Sequence, residues 1–158
     1  NNQIDYSLRV DERVVVMEKT HARDIHPGMF PDRISFFTAD LSFISILKVL
    51  PAVCDTFDEI EGVVLIKPQF EAGRENIGKR GVVKDPEIHA KVITEIFSYV
   101  ERELPQISVS GLDFSPVTGP KGNIEFLVYL SRGHYHTKDY MDPCKIRTIV
   151  KEAHETLL

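Results

Sequence analysis

The segment Gly62–Lys67, GVVLIK, is the part of the sequence that most limits how the chain can fold. All residues between its glycine and its lysine are aliphatic, as in a central strand of a parallel sheet that helices cover on both faces. Other short runs rich in Val, Ile and Phe alternate with longer amphipathic stretches along the chain. This alternation predicts an α/β domain with a largely parallel sheet.

Five strands are predicted from these apolar runs. The last two are joined by only nine residues, 115–123, which are rich in Gly and Pro. A helical crossover needs about a dozen residues, so we expect these two strands to form an antiparallel pair at one end of the sheet. The predicted strands are Val14–Glu18, Ser35–Asp40, Gly62–Lys67, Ile107–Phe114 and Ile124–Leu130.

The clearest helix is predicted over Pro86–Glu103, with Asp85 as its N-cap and proline at its first position. Its apolar residues recur at helical spacing and form one stripe. A second Asp-Pro pair predicts a terminal helix over Pro143–Thr156. Two less regular helices are predicted over Gln3–Val10 and Ile44–Phe57, the second kinked or split by Pro51.

Composition indicates one soluble domain. Of the 158 residues, 42% are hydrophobic and 27% are charged, and no apolar run approaches the ~20 residues that cross a bilayer. Without a signal peptide, a cytoplasmic location is expected, with Cys54 and Cys144 as reduced packing residues. The net charge of −5 argues against a protein that coats nucleic acid, but residues 1–66 supply the whole deficit, with 6 basic and 11 acidic side chains.

Ionisable side chains stand at the ends of three predicted strands. Asp40 and Lys67 close two of them, and Glu125 lies near the start of the last. If the last strand is antiparallel to the others, all three side chains lie at the sheet edge where α/β proteins bind ligands. Each has an ordinary explanation alone, as a helix cap, a surface lysine or an exposed turn residue. Together they favour a functional cluster.

Two loops without apolar periodicity, residues 69–84 and 115–123, adjoin this predicted edge. The first contains four basic residues whose charge suits phosphate groups, although a solvated lid is the alternative. His134 and His136 resemble a metal tract but have no nearby third ligand, so no metal site is expected. The four basic residues are Arg74, Lys79, Arg80 and Lys84.

The segment LIKPQFEAGRENIGKRGVVKDPEIHAKV, preceded by ADLSFISI and followed by SPVTGPKGNIEFLVYL, resembles the carboxyl-terminal domain of the TlyA family. These proteins are often named hemolysins and are similar to FtsJ-type 2′-O-ribose RNA methyltransferases. The resemblance extends from about Gln3 to Leu130. It implies a Rossmann-like fold that uses S-adenosyl-L-methionine, with a mostly parallel sheet and an antiparallel last strand. The implied substrate is ribosomal RNA or a ribosomal subunit, with no membrane partner.

The family carries a Lys-Asp-Lys-Glu catalytic set, and the resemblance assigns its last three members to Asp40, Lys67 and Glu125. Because the two carboxylates favour a charged lysine, Lys67 is expected to orient the ribose hydroxyl as a donor, and the general base stays unassigned. The implied cofactor contacts are Glu18, Thr20, His21, Asp40 and Ser42, with His21 standing where the family commonly has Asn.

Family members begin with a small RNA-binding domain, followed by the first catalytic lysine and a glycine-rich turn that cradles the cofactor. None of these occurs in the printed sequence. We therefore expect residues 1–158 to be part of a longer methyltransferase domain that is inactive without the rest. Two alternatives remain: a membrane-lysing protein, as the hemolysin name suggests, and a catalytically idle RNA-binding scaffold.

Overall fold

A four-stranded sheet with the strand order β1-β2-β4-β3 forms the centre of the molecule. The structure is a computed structural model and describes residues 4–133 and 142–158. Strands β1 and β2 are parallel, whereas β4 is antiparallel to both β2 and β3. Three strands therefore run in one direction and the last one is reversed, which confirms the predicted fold class. The strands are β1 (Phe36–Ala39), β2 (Ile60–Ile66), β3 (Ile107–Phe114) and β4 (Phe126–Arg132).

Four of the five predicted strands form, but the prediction of a strand over Val14–Glu18 is wrong. A strand needs a neighbour that satisfies its backbone N–H and C=O groups. Within the described residues, β1 pairs only with β2 and remains an edge strand. The VVVM run accordingly has no partner strand, and Val15 is 77% exposed.

Both long helices begin at the predicted Asp-Pro pairs. Helix α4 (Pro86–Glu103) has the predicted bounds, and the Asp85 side chain accepts a hydrogen bond from the backbone N–H of Glu87. Helix α5 (Pro143–Leu157) extends one residue further than predicted, and Asp142 caps it in the same way. Each aspartate satisfies a backbone donor that has no partner inside the helix.

The shorter helices are less extensive than predicted. The stretch Ile44–Phe57 is split into a 3₁₀ turn, Ile46–Lys48, and helix α2 (Leu50–Thr56). Pro51 lies in the first turn of α2, where a missing N–H costs nothing. The two remaining helices have one turn each, α1 (Tyr6–Arg9) and α3 (Pro68–Glu71).

The main core lies on one face of the sheet, where Val64 and Ile66 of β2 cluster with the apolar stripe of α4. Val63 and Leu65 point to the other face and are partly exposed. The prediction that helices cover both faces of this strand is therefore wrong for the described residues. Cys54 is buried as predicted, whereas Cys144 is exposed at the start of α5, which contradicts its predicted packing role. The sequence predicts no metal site at His134 and His136, and both residues lie outside the described part of the chain.

Candidate active site

The sheet register brings the three ionisable strand-end residues to one edge. Ala39, the last residue of β1, pairs with Val64 of β2, so Asp40 and Lys67 leave the sheet in the same direction. Ile66 pairs with Phe126 in the antiparallel β2/β4 ladder, which puts Glu125 across from Lys67. The predicted convergence of these side chains follows directly from this register.

Lys67 and Asp40 form an ion pair at this edge. The distance from Lys67 Nζ to Asp40 Oδ1 is 2.6 Å. The lysine side chain is 14% exposed and the aspartate 71%, so the pair joins an enclosed cation to a carboxylate at the surface. A charge-assisted contact of this length holds the ammonium group in a defined position as a hydrogen-bond donor.

Glu125 is almost enclosed, with 7% of its surface exposed. Its Oε1 accepts a hydrogen bond of 2.9 Å from Gln69 Nε2. On its other side lies Gly119, where an added Cβ would stand 2.8 Å from the same oxygen. A side chain at position 119 would therefore displace the carboxylate, which explains a glycine at this point of the 115–123 loop.

Glu71 connects α3 to the loop that follows Asp40. One of its carboxylate oxygens accepts a hydrogen bond of 2.8 Å from the backbone N–H of Ile46. Burial raises the pKa of Glu71, and hydrogen bonds from Ser45 and Ile46 oppose that rise. The contact fixes the loop containing Asp40 and Ser42 against the segment containing Lys67.

Asn123 joins the loop of residues 69–84, called the basic loop for its four exposed cations, to the loop that precedes Glu125. Its Oδ1 accepts from the backbone N–H of Val83, and its Nδ2 donates to the carbonyl of Gly81, both at 3.0 Å. The Val83 carbonyl in turn lies 3.1 Å from Nε2 of the buried His89. These three hydrogen bonds fix the end of the basic loop beside the candidate site.

A cavity of about 440 Å³ lies between these elements. Lys67 and Glu125 contribute to its wall, as does Ser42, one of the predicted cofactor contacts. Phe43 stands at the cavity with 90% of its surface exposed and a φ of 64°, and its ring lies 5.0 Å from that of Phe70. The other lining residues were not predicted from the sequence, although Phe43, Gln69, Phe70 and Lys121 among them lie inside the motifs that carry the family resemblance.

The remaining predicted contacts are not part of this wall. Glu18 forms an ion pair of 2.7 Å with Arg9, and Thr20 and His21 are exposed in a segment without strand structure. None of these three residues lines the cavity. The basic residues Arg74, Lys79, Arg80 and Lys84 are all exposed outside it.

Two other properties of the described residues bear on function. No three His, Cys, Asp or Glu side chains in this part of the chain are grouped as metal ligands. None of its helices combines the length and the apolar character needed to cross a bilayer.

The sequence matches the family model of FtsJ-like methyltransferases over residues 1–132. The chain belongs to this family. Membership in a methyltransferase family implies a methyl donor, and the resemblance to TlyA is confirmed by the relatives below.

Relatives and solved structures agree with this assignment. The chain is 43% identical over 159 residues to the "Putative rRNA methyltransferase YqxC" of Bacillus subtilis, covering 99% of this chain and 56% of the relative. It is 42% identical to the "16S/23S rRNA (cytidine-2'-O)-methyltransferase TlyA" of Mycobacterium tuberculosis, covering 81% and 47%. A solved "Putative hemolysin" from Streptococcus thermophilus matches with a TM-score of 0.88 and 41% identity, covering 99% and 56%. The chain thus spans about half the length of these relatives.

Proposed function

We propose that the protein methylates the 2′-oxygen of a ribose in ribosomal RNA, with S-adenosyl-L-methionine as methyl donor. The observation that carries the proposal is the meeting of Asp40, Lys67 and Glu125 at one sheet edge in a chain of the FtsJ-like family. Relatives named as rRNA (cytidine-2'-O)-methyltransferases support the choice of RNA and of the ribose oxygen. We also propose that the protein works in the cytoplasm.

A ribose hydroxyl is a poor nucleophile, so the site must align it and hold its proton. The bound cofactor would supply a sulfonium methyl group, whose carbon bonds to the 2′-oxygen as its bond to sulfur breaks. The Lys67 ammonium group, held by Asp40, would donate to the hydroxyl oxygen. Glu125 offers a carboxylate in the same cavity to the hydroxyl proton.

The described residues fit the cofactor only in part. Asp40 and Ser42 lie at the carboxyl end of β1, and the exposed Asp40 carboxylate suits the positive charges of S-adenosyl-L-methionine. Glu18, Thr20 and His21, the other predicted cofactor contacts, do not line the cavity. We therefore assign Asp40 and Ser42 to the cofactor and leave the other three as a proposal for the full polypeptide.

The exposed Phe43 ring and the basic loop provide surfaces for RNA around the cavity. Aromatic rings bind single-stranded RNA by stacking on its bases, while Lys and Arg bind its phosphates. A strained backbone that exposes an aromatic ring gains nothing for the isolated fold, because φ near 64° costs a non-glycine residue energy. We propose that Phe43 stacks on a base and that Arg74, Lys79, Arg80 and Lys84 bind phosphates.

The test is transfer of labelled methyl groups from S-adenosyl-L-methionine to ribosomal subunits by the full polypeptide. We expect the product nucleotide to resist alkaline cleavage, as a 2′-O-methyl ribose does. Lys67→Ala should lower the rate at least about 100-fold, the scale of a lost proton-handling group, with cofactor affinity nearly unchanged. Lys151→Ala, an exposed lysine on α5, is the matched control.

Two results would reject the proposal in favour of the alternatives. Leakage of liposomes that is equal for the unsubstituted protein and for Asp40→Ala would favour a lytic function. Binding of RNA without any binding of S-adenosyl-L-methionine in calorimetry would favour an idle scaffold. Methylation that persists in Lys67→Ala would remove this lysine from the mechanism.

A further inference from the structure

Gln69 lies in the cavity wall together with Lys67 and Glu125. It lies in the first turn of α3, two residues after Lys67, and lines the same cavity. Its Nε2 donates a hydrogen bond of 2.9 Å to Glu125 Oε1 across 56 residues of sequence. No member of the Lys-Asp-Lys-Glu set matches this glutamine.

The orientation of the Gln69 amide follows from the chemistry of its partner. An ionised carboxylate only accepts hydrogen bonds, so the amide must turn its NH₂ group toward Glu125. The amide oxygen of Gln69 is consequently buried without a hydrogen-bond partner among the described residues. An unsatisfied buried acceptor destabilises the folded state and requires an explanation. Here the NH₂ group of Gln69 provides a hydrogen bond to Oε1 of Glu125, while the amide oxygen of Gln69 stays unpaired.

The contact also distinguishes the two oxygens of Glu125. Oε1 is confined between the Gln69 amide and the bare backbone of Gly119. Oε2 accepts no hydrogen bond from the described residues, and it is not among their fully buried unpaired atoms. One oxygen is thus used to fix the carboxylate, and the other is accessible at the cavity that Lys67 shares.

We infer that Gln69 is a positioning residue, which holds the Glu125 carboxylate through Oε1 so that Oε2 accepts the hydrogen bond of the substrate's ribose hydroxyl. This inference rests on the proposed function, because it names the hydroxyl as the ligand of Oε2. Gln69 acts only through Glu125 and takes no proton itself. As a lone pair of the hydroxyl oxygen bonds to the methyl carbon and the carbon–sulfur bond breaks, the hydroxyl proton passes to Oε2.

Gln69→Met tests the hydrogen bond, because methionine keeps the length of the side chain and removes the amide. We expect kcat for methyl transfer to fall about 10-fold to 100-fold, as for a misplaced reacting group, with KM for RNA nearly unchanged. Gln106→Met removes an amide at an exposed position outside the cavity and should leave kcat unchanged. A rise in KM with kcat unchanged, or equal effects of both variants, would contradict the inference.

Gln69→Glu provides a rescue that a merely structural role would not show. Two adjacent carboxyl groups share a proton as the pH falls, and the protonated one donates to its neighbour as the amide does. We expect the rate of Gln69→Glu, relative to the unsubstituted protein, to recover as the pH is lowered. Gln69→Met should show no such recovery, and parallel profiles for the two variants would refute the positioning role.

A crystal structure of Gln69→Met separates this inference from the proposed function. The Glu125 carboxylate should leave its position beside Gly119 or occupy more than one rotamer. An unmoved carboxylate would overturn the inference even if kcat fell. If the unsubstituted protein transfers no methyl group to RNA, the proposed function fails, and the crystal structures still decide whether Gln69 positions Glu125.

Discussion

Two regions of the molecule both contain apolar and charged residues: the sheet edge around Lys67 and the amino-terminal segment, residues 4–35. They differ in how far backbone and side-chain contacts fix their residues. At the sheet edge, strand register and buried hydrogen bonds fix Lys67, Glu125 and Asn123. The amino-terminal segment has one helical turn, two 3₁₀ turns and exposed apolar side chains such as Tyr6 and Val15. β-forming residues therefore produce a strand only when a neighbour satisfies their backbone groups.

The largest expected difference between the two regions is in stability. Phe97→Ala removes a side chain of α4 that is 1% exposed and should lower the free energy of unfolding by about 3–5 kcal/mol through lost burial and a cavity. Val15→Ala, in the amino-terminal segment, should change it by less than about 0.5 kcal/mol. Urea unfolding of both variants measures the difference. Similar losses would mean that Val15 is packed as firmly as the core.

The same contrast explains which parts of the fold the sequence could predict. Helix α4 was predicted residue for residue because its cap, its proline and its apolar stripe are all local. The strand over Val14–Glu18 could not be judged locally, because strand formation depends on a distant partner. The single covered face of β2 was missed for the same reason. The segment GVVLIK has the same apolar sequence whether one face of the strand or both faces are buried.

The candidate site divides in the same way. Asp40, Lys67 and Glu125 were predictable because strand ends and an antiparallel last strand determine which residues share an edge. The Gln69 and Asn123 contacts depend on side-chain directions in turns, for which the sequence offers no periodic signal. Their roles as catalytic or positioning residues remain predictions.

Replacing Asn123 tests how firmly the site loops are fixed. Asn123→Ala removes two hydrogen bonds and leaves the N–H of Val83 buried without a partner. We expect a loss of about 2–3 kcal/mol in the free energy of unfolding. The control is Asn76→Ala in the basic loop. It removes one hydrogen bond, to the Ala72 carbonyl, and should lower the free energy of unfolding by about 1 kcal/mol. Equal losses would show that Asn123 does not join the two loops in a special way.

The buried His89 makes stability near the site depend on pH. Burial, followed by the neighbouring His154, lowers the pKa of His89 to about 4, while the Val83 carbonyl and Asp85 oppose that change. Below its ordinary pKa the unfolded chain binds a proton that the folded chain does not, so stability falls as the pH decreases. Between pH 7 and pH 5 we expect His89 to contribute a loss of about 2 kcal/mol in the free energy of unfolding.

Urea unfolding at the two pH values, with His89→Gln as comparison, measures this contribution. Glutamine can still donate to the Val83 carbonyl but takes up no proton in this range, so its stability should decline less by about the same 2 kcal/mol. An identical decline in both chains would mean that the folded protein accommodates a protonated His89. The His154 ring contacts His89, and burial lowers the pKa of His154 as well. This ring would then be the group that moves to accommodate a protonated His89.

The smallest expected effect concerns RNA affinity and compares exposed basic residues from both regions. Lys79→Ala in the basic loop removes a proposed phosphate contact, which should weaken RNA binding by about tenfold or less and reduce the salt slope of log K by roughly 1. Lys19→Ala removes an exposed lysine from the amino-terminal segment and should leave the slope unchanged. Filter binding of ribosomal RNA at several salt concentrations measures both slopes. Because both substitutions change the net charge equally, a general electrostatic attraction would lower both slopes alike, whereas a phosphate contact lowers only that of Lys79→Ala.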